Sequence, residues 1–201
     1  MKILFYLSNN QWTSVLNNHP NSNIFQSPVM YSVYQETKNY EPVFLAVKDE
    51  QENILGVLLA VLQKEHSGFL GKFSSRSIIW GGPIIKDNDP VILDYILKEY
   101  NKIIKKKAIY TQFRNLWDWK EQKEIFANNG FDHEDHLDIL FDLKKTEDGL
   151  WKEMKRSCKK NIKKSYKNDI KILELDLNDS KIFNESYEIL RDVYLRIKLP
   201  F

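Results

Sequence analysis

Apolar and polar positions along this chain fall into short blocks with two different periods. Residues 3–7 predict a short strand, and residues 12–18 a helical turn or two that stops before Pro20. Ser27-Pro28 reads as a helix start, a capping hydroxyl followed by a residue whose missing N–H does no harm in a first turn. Met30, Val33, Tyr34 and Thr37 then carry that helix to about Asn39. Two apolar runs, 42–48 and 54–63, are separated by the polar stretch 49–53, which has hairpin length. Val43, Leu45 and Val47 alternate with Phe44 and Ala46, so both faces of the first run are apolar, which predicts a strand covered on each side. Residues 77–80 predict another strand, breaking at Gly81-Gly82-Pro83.

Beyond Pro90 the period changes. Ile92, Leu93, Ile96, Leu97, Tyr100, Ile103 and Ile104 recur at spacings of three and four, the mark of an amphipathic helix, and Lys105-Lys106-Lys107 suits the negative end of its dipole. A strand over 108–113, a helix over 118–129 ended by Gly130, a strand over 136–143 and a long helix over 147–167 follow. A strand over 170–175 and a helix over 181–197 complete the pattern. This order predicts an α/β fold, a mixed sheet flanked by helices. The one boundary falls at 144–148, where composition turns polar. Leu199-Pro200-Phe201 is an apolar end directly after an amphipathic helix, and predicts a piece of a longer chain.

Composition narrows the setting. A chain of 201 residues that is 42% hydrophobic has material for one substantial core. One cysteine excludes an intrachain disulfide and fits a reducing compartment. No run approaches the ~20 apolar residues of a membrane-spanning helix, and the short apolar start lacks the form of a signal peptide, so the expected location is cytoplasmic.

The total charge of +2 says little, but its distribution says more. Between Lys144 and Lys167 ten basic residues meet three acidic ones, a net of +7. Lys152, Lys155, Arg156, Lys159, Lys160, Lys163, Lys164 and Lys167 recur at alternating steps of three and one, which puts all eight on one half of a continuous helix, with Trp151, Met154, Cys158 and Ile162 on the other side. Such segregation predicts an anionic partner: nucleic-acid backbone, nucleotide-sugar pyrophosphate or acidic lipid. Lipid fits least, because the apolar sector is narrow. A solvated lysine face with no ligand accounts for the same pattern.

Other candidates carry less. His133 and His136 stand three apart at a strand entry, where they point to opposite sides, unlike the two histidines of a zinc-protease helix, so no metal is expected. Cys158 lies among lysines but on the apolar side, and reads as a core or edge residue. Gly81-Gly82-Pro83 lacks the spacing of a phosphate loop and reads as a turn. Trp80, Trp117 and Trp119 read as core anchors, with a ligand-groove floor as the alternative. His19 and His66 fall in polar loops without evident partners. No recognition spacing for sequence-specific DNA binding is present.

Several segments together resemble the FemAB family, the aminoacyltransferases of peptidoglycan interpeptide bridges, within the wider GNAT-like acyltransferases. They are Ile24-Phe25-Gln26-Ser27-Pro28, Tyr40-Glu41-Pro42-Val43, Trp80-Gly81-Gly82-Pro83, Asn129-Gly130-Phe131, the stretch from Trp151 through Lys160-Asn161-Ile162-Lys163-Lys164-Ser165 to Ile170, and the segment 194–200. The family pattern has Arg and Ala where this chain has Lys160 or a neighbouring lysine and Ser165. The resemblance implies a first GNAT-like domain over 1–145 and, over 146–201, a basic helix that opens a second, truncated GNAT-like domain. It implies transfer of an aminoacyl group from aminoacyl-tRNA to the amine of a nucleotide- or lipid-linked peptidoglycan precursor. No cofactor beyond the acyl donor is implied, and this chain by itself is expected to be inactive. Arg156, Lys160, Lys163 and Lys164 become anion-binding candidates, with Tyr194 and Arg196 beside the substrate cleft; no catalytic base is assigned. Two other functions remain open on the same residues: acyl-CoA-dependent N-acylation of a surface-polysaccharide sugar, and a non-catalytic nucleic-acid-binding module.

Overall fold

A computed structural model describes residues 1–64, 74–137, 141–168, 170–174, 176 and 178–197. The chain divides into two compact units, Met1–His136 and Leu137–Phe201.

The first unit is a mixed sheet with helices on both faces, as its periodicities predict. In chain order it contains β1 (Lys2–Leu4), α1 (Asn9–Asn17), a 3₁₀ turn (Ile24–Gln26), α2 (Pro28–Glu36), β2 (Tyr40–Lys48), β3 (Ile54–Lys64), β4 (Ser75–Trp80), β5 (Ile84–Ile85), α3 (Pro90–Ile104), β6 (Tyr110–Arg114) and α4 (Lys123–Asn128). The strands lie in the order β1-β2-β3-β4-β6, with β5 beside β3. Neighbours are antiparallel except β4 and β6, which run parallel and are joined by α3. A parallel pair needs such a crossover, since a tight turn can only reverse the chain.

Because side chains alternate across a strand, the doubly apolar runs serve two cores. Val43, Leu45, Leu58, Leu62 and Ile79 pack with Leu93, Ile96, Leu97 and Tyr100 of α3. Phe44, Val57, Leu59, Val61 and Ile78 pack with Trp12 and Leu16 of α1 and Tyr34 of α2. Helix α1 begins earlier than the apolar pattern alone predicts. Ser8 and Gln11 form a reciprocal capping box that satisfies two end N–H groups.

Tyr100 places a hydroxyl in the first core, where it donates to Ser77 Oγ at 2.7 Å and lies 3.2 Å from Thr111 Oγ1. Burial pushes its pKa up to about 12, outweighing those hydrogen bonds. The unfolded tyrosine ionises near 10.0 and the folded one only near 12, so its contribution is intact below pH 10 and is lost as pH rises through 12. Across that span unfolding should become easier by about 3 kcal/mol. Tyr100→Phe should remove this alkaline slope in urea titrations and lower stability near neutrality by about 1 kcal/mol.

The second unit contains α5 (Glu147–Glu153), α6 (Arg156–Lys167) and α7 (Ser180–Arg196). The single helix expected over 147–167 is therefore two. Met154 and Lys155 adopt extended backbone, with ψ of 140° and 146°. Gly149 weakens the first segment, and a continuous helix would stack Lys152, Lys155, Arg156 and Lys159 at three- and four-residue spacings. In the broken arrangement Lys159 Nζ instead donates to the Lys152 carbonyl at 3.1 Å. The expected strands over 136–143 and 170–175 fall partly outside the described residues. Their described residues form no strand. Among the described residues no helix is long and apolar enough to cross a membrane.

Candidate functional site

Two places in the molecule concentrate chemistry, one in each unit. The first lies where the parallel strands β4 and β6 end, the position at which open α/β sheets place their ligands. The outer edge of β3 is shared there: β4 pairs with Val61–Lys64, and β5 pairs with Gly56 and Val57. Between them the Gln26 side chain takes the place of a strand. Its Oε1 accepts from the Leu59 N–H at 2.7 Å, and its Nε2 donates to the carbonyls of Leu59 at 3.0 Å and Trp80 at 2.8 Å. Gln26 is fully buried, and its own carbonyl accepts from Trp12 Nε1 at 2.7 Å.

This plug explains the paired glycines. A Cβ on Gly82 would stand 2.4 Å from Gln26 Cδ. Gly81 has φ +53°, and a Cβ there would lie 2.7 Å from Asn23 Oδ1. Asn23 Nδ2 donates to the Gly81 carbonyl at 2.6 Å, and the Gly81 N–H donates to the Arg114 carbonyl at 2.9 Å, closing the parallel pair at its end. Gly81-Gly82-Pro83 is thus a turn, as expected, but one moulded around a buried amide.

Above that turn, the Arg114 guanidinium sits 4.4 Å from the centre of the Trp80 ring, and Phe25 stacks on Trp80 with ring centres 5.7 Å apart. Trp119 is buried, with Trp117 at 5.7 Å, so this pair is core rather than groove floor. Helix α3 follows the turn with its N-terminus already satisfied. Asp89 Oδ1 accepts from the N–H groups of Val91 at 2.7 Å and Ile92 at 3.3 Å, and Pro90 has no N–H to offer. A helix start of this kind repels anions instead of cradling them.

The second place is α6. Arg156, Lys159, Lys160, Lys163, Lys164 and Lys167 occupy about 140° of its circumference at 100° per residue. All but the half-buried Lys159 are exposed, and among the described residues none pairs with a carboxylate. The helix break removes Lys152 and Lys155 from this face, so six basic residues rather than eight share it. The arrangement opposes helix stability. Arg156/Lys160, Lys159/Lys163, Lys160/Lys164 and Lys163/Lys167 are four like-charged pairs one turn apart, together unfavourable by about 1–2 kcal/mol. Arg156 and Lys159 also crowd the positive end of the dipole. An anion laid along the face relieves both effects.

Of the remaining expected residues, Tyr194 is half-buried and Arg196 exposed at the C-terminal end of α7. Cys158 is exposed, so of the two expected places, core or edge, it is not in the core. His19 does have partners: its Nε2 lies 2.8 Å from the Ile85 carbonyl and its Nδ1 accepts from the Asn21 N–H at 3.1 Å. His133 Nε2 lies 3.0 Å from Asp135 Oδ1 at the surface.

No family model and no curated protein matches the chain. Among solved structures, it is similar to a probable acetyltransferase with a TM-score of 0.47 at 12% identity, over 73% of this chain and 100% of that one. It is similar to an aminoglycoside 6'-N-acetyltransferase from Acinetobacter haemolyticus with a TM-score of 0.47 at 11% identity, over 71% and 98%. It is also similar to a transcriptional regulator from Bacillus halodurans, with a TM-score of 0.45 at 14% identity, over 70% and 99%. Likenesses at this level leave the activity to be argued from the residues.

Proposed function

We propose that the chain is part of a cytoplasmic acyltransferase of GNAT-like architecture that takes an aminoacyl group from aminoacyl-tRNA and passes it to a peptidoglycan-precursor amine. In this reading residues 1–145 are a first GNAT-like domain and 146–201 begin a second. The observation that carries the proposal is the exposed cationic face of α6, which is kept at a cost to the helix and fits a long polyanion. Arg156, Lys160, Lys163 and Lys164 hold phosphates of the donor, and Tyr194 and Arg196 flank the acceptor. The amine nitrogen attacks the ester carbonyl, a C–N bond forms as the C–O bond breaks, and the departing ribose hydroxyl takes up the amine proton. The protein contributes positioning and charge.

The start of α3 bears on the donor. The diphosphate of an acyl-CoA needs free N–H groups at a helix N-terminus, and those of α3 are filled by the Asp89 carboxylate. This supports a donor held by charge on the second unit over a CoA thioester held by the first. The test compares two titrations of the whole chain, labelled tRNA by fluorescence anisotropy and coenzyme A by calorimetry. Saturable tRNA binding that weakens steeply with salt, without measurable heat from coenzyme A, is expected. Coenzyme A binding without tRNA binding would replace the reading by CoA-dependent N-acylation.

A further inference from the structure

The first unit bears a second cationic surface that the basic helix does not include. In the parallel pair, Arg76 stands beside Tyr110 and Trp80 beside Arg114, and partners in register project from the same face of the sheet. Across the antiparallel pair, Gln63 stands beside Arg76. The face formed by β4 and β6 thus carries two arginines, a tyrosine, a tryptophan and the amides of Gln63 and Gln112, with no carboxylate in its rows. Among the described residues, the main contacts of α1 and α2 are with each other, the adjoining 3₁₀ turn and β2. Tyr110 is 47% exposed, and Gln112 and Arg114 are exposed beside it.

Both guanidinium groups are held in place by neutral partners. Arg76 Nε donates to Gln63 Oε1 at 3.1 Å, and Arg114 Nη2 donates to Gln112 Oε1 at 3.1 Å while its plane rests on Trp80. An arginine anchored by an amide oxygen keeps its full charge for a ligand, whereas a carboxylate partner would neutralise it. The anchors also keep the two cations apart. Four residue steps along β4, from Arg76 to Trp80, separate the rows of Arg76 and Arg114, a span of about 13 Å. One diphosphate cannot reach both, but the backbone of an extended polynucleotide can. Trp80 already contacts Phe25 and the Arg114 guanidinium, and the exposed Tyr110 ring and the Arg114 plane are the surfaces offered to a base.

We infer that this face binds single-stranded RNA, with phosphates on Arg76 and Arg114 and bases stacked on Tyr110 and the Arg114 plane, a combination that tolerates any sequence. The inference goes beyond acyl transfer and does not require it. The test is fluorescence anisotropy of the whole chain with a labelled 12-nucleotide single-stranded RNA of mixed sequence. R76Q/R114Q should bind about tenfold or more weakly, with the log-log salt slope flattened by roughly 1.4 for two lost contacts. Tyr110→Ala should weaken binding by about tenfold at an unchanged slope, because stacking releases no counterions. Arg114→Gln alone, at an exposed position, should show part of the loss with an unchanged melting temperature. All three effects should persist when Lys160, Lys163 and Lys164 are alanine. Equal affinity and slope for R76Q/R114Q and the parent chain would overturn the inference. So would equal losses toward fully duplex RNA, which offers no free bases. If only the α6 substitutions weaken binding, this inference falls and the donor reading stands.

Discussion

Gln26→Ala should destabilise the protein by about 4 kcal/mol, the largest effect expected of any polar substitution in the chain. The carboxamide satisfies three backbone groups inside the sheet: the N–H and carbonyl of Leu59 and the carbonyl of Trp80. Alanine leaves all three without partners in a site that is fully buried, and each buried unpaired group costs about 1–3 kcal/mol. Native stabilities are about 5–15 kcal/mol, so much of the margin would go. Urea unfolding should show a lower midpoint at an unchanged slope. Gln26→Leu separates lost volume from lost hydrogen bonds. It refills most of the space and should still cost about 3 kcal/mol. A loss below about 1 kcal/mol for both variants would mean that Gln26 does not seal the sheet.

Changing Lys160, Lys163 and Lys164 together to alanine should move affinity and stability in opposite directions. Binding of tRNA at moderate salt should weaken by roughly two orders of magnitude, and the log-log salt slope should flatten by about 2–3 units as phosphate contacts are lost. The same substitutions abolish the four like-charged i,i+4 pairs of α6, leave only Arg156 and Lys159 as like-charged neighbours three apart, and install the best helix former, so the melting temperature should stay level or rise. A stabilised protein with impaired binding is the signature of residues retained for a ligand. A stabilised protein with unchanged affinity would make the lysines an ordinary solvated face.

Much of the fold was legible because burial imposes a period. The two-sided apolar alternation of β2 and the three-four spacing of α3 follow directly from a sheet covered on both faces. The Gln26 plug was not legible. It joins residues 33 and 54 positions apart, and a lone glutamine before a helix start has no periodic neighbour to announce it. The glycines it requires were visible as a turn, but their cause lay in another part of the chain. The break between α5 and α6 lacks a proline or glycine at the hinge itself, so only the charge crowding around Lys155 hinted at it. In the cationic face of α6, sequence placed Arg156, Lys160, Lys163 and Lys164 on one side of a helix, and the structure keeps them there. Arg114 escaped notice because a single arginine at a strand end gains meaning only from the ring it covers, Trp80, 34 positions earlier. The filled N-terminus of α3 was half visible, since Asp89-Pro90 is a cap followed by a residue without N–H.

If α6 receives the tRNA donor as proposed, the backbone amides of the ¹⁵N-labelled chain will report it when an acceptor-stem RNA hairpin is added. The largest chemical-shift changes should fall on residues 156–167, saturate together, and vanish when Lys160, Lys163 and Lys164 are alanine. Amides of α6 that stay in place while the hairpin binds elsewhere, or no shifts at low salt, would contradict it.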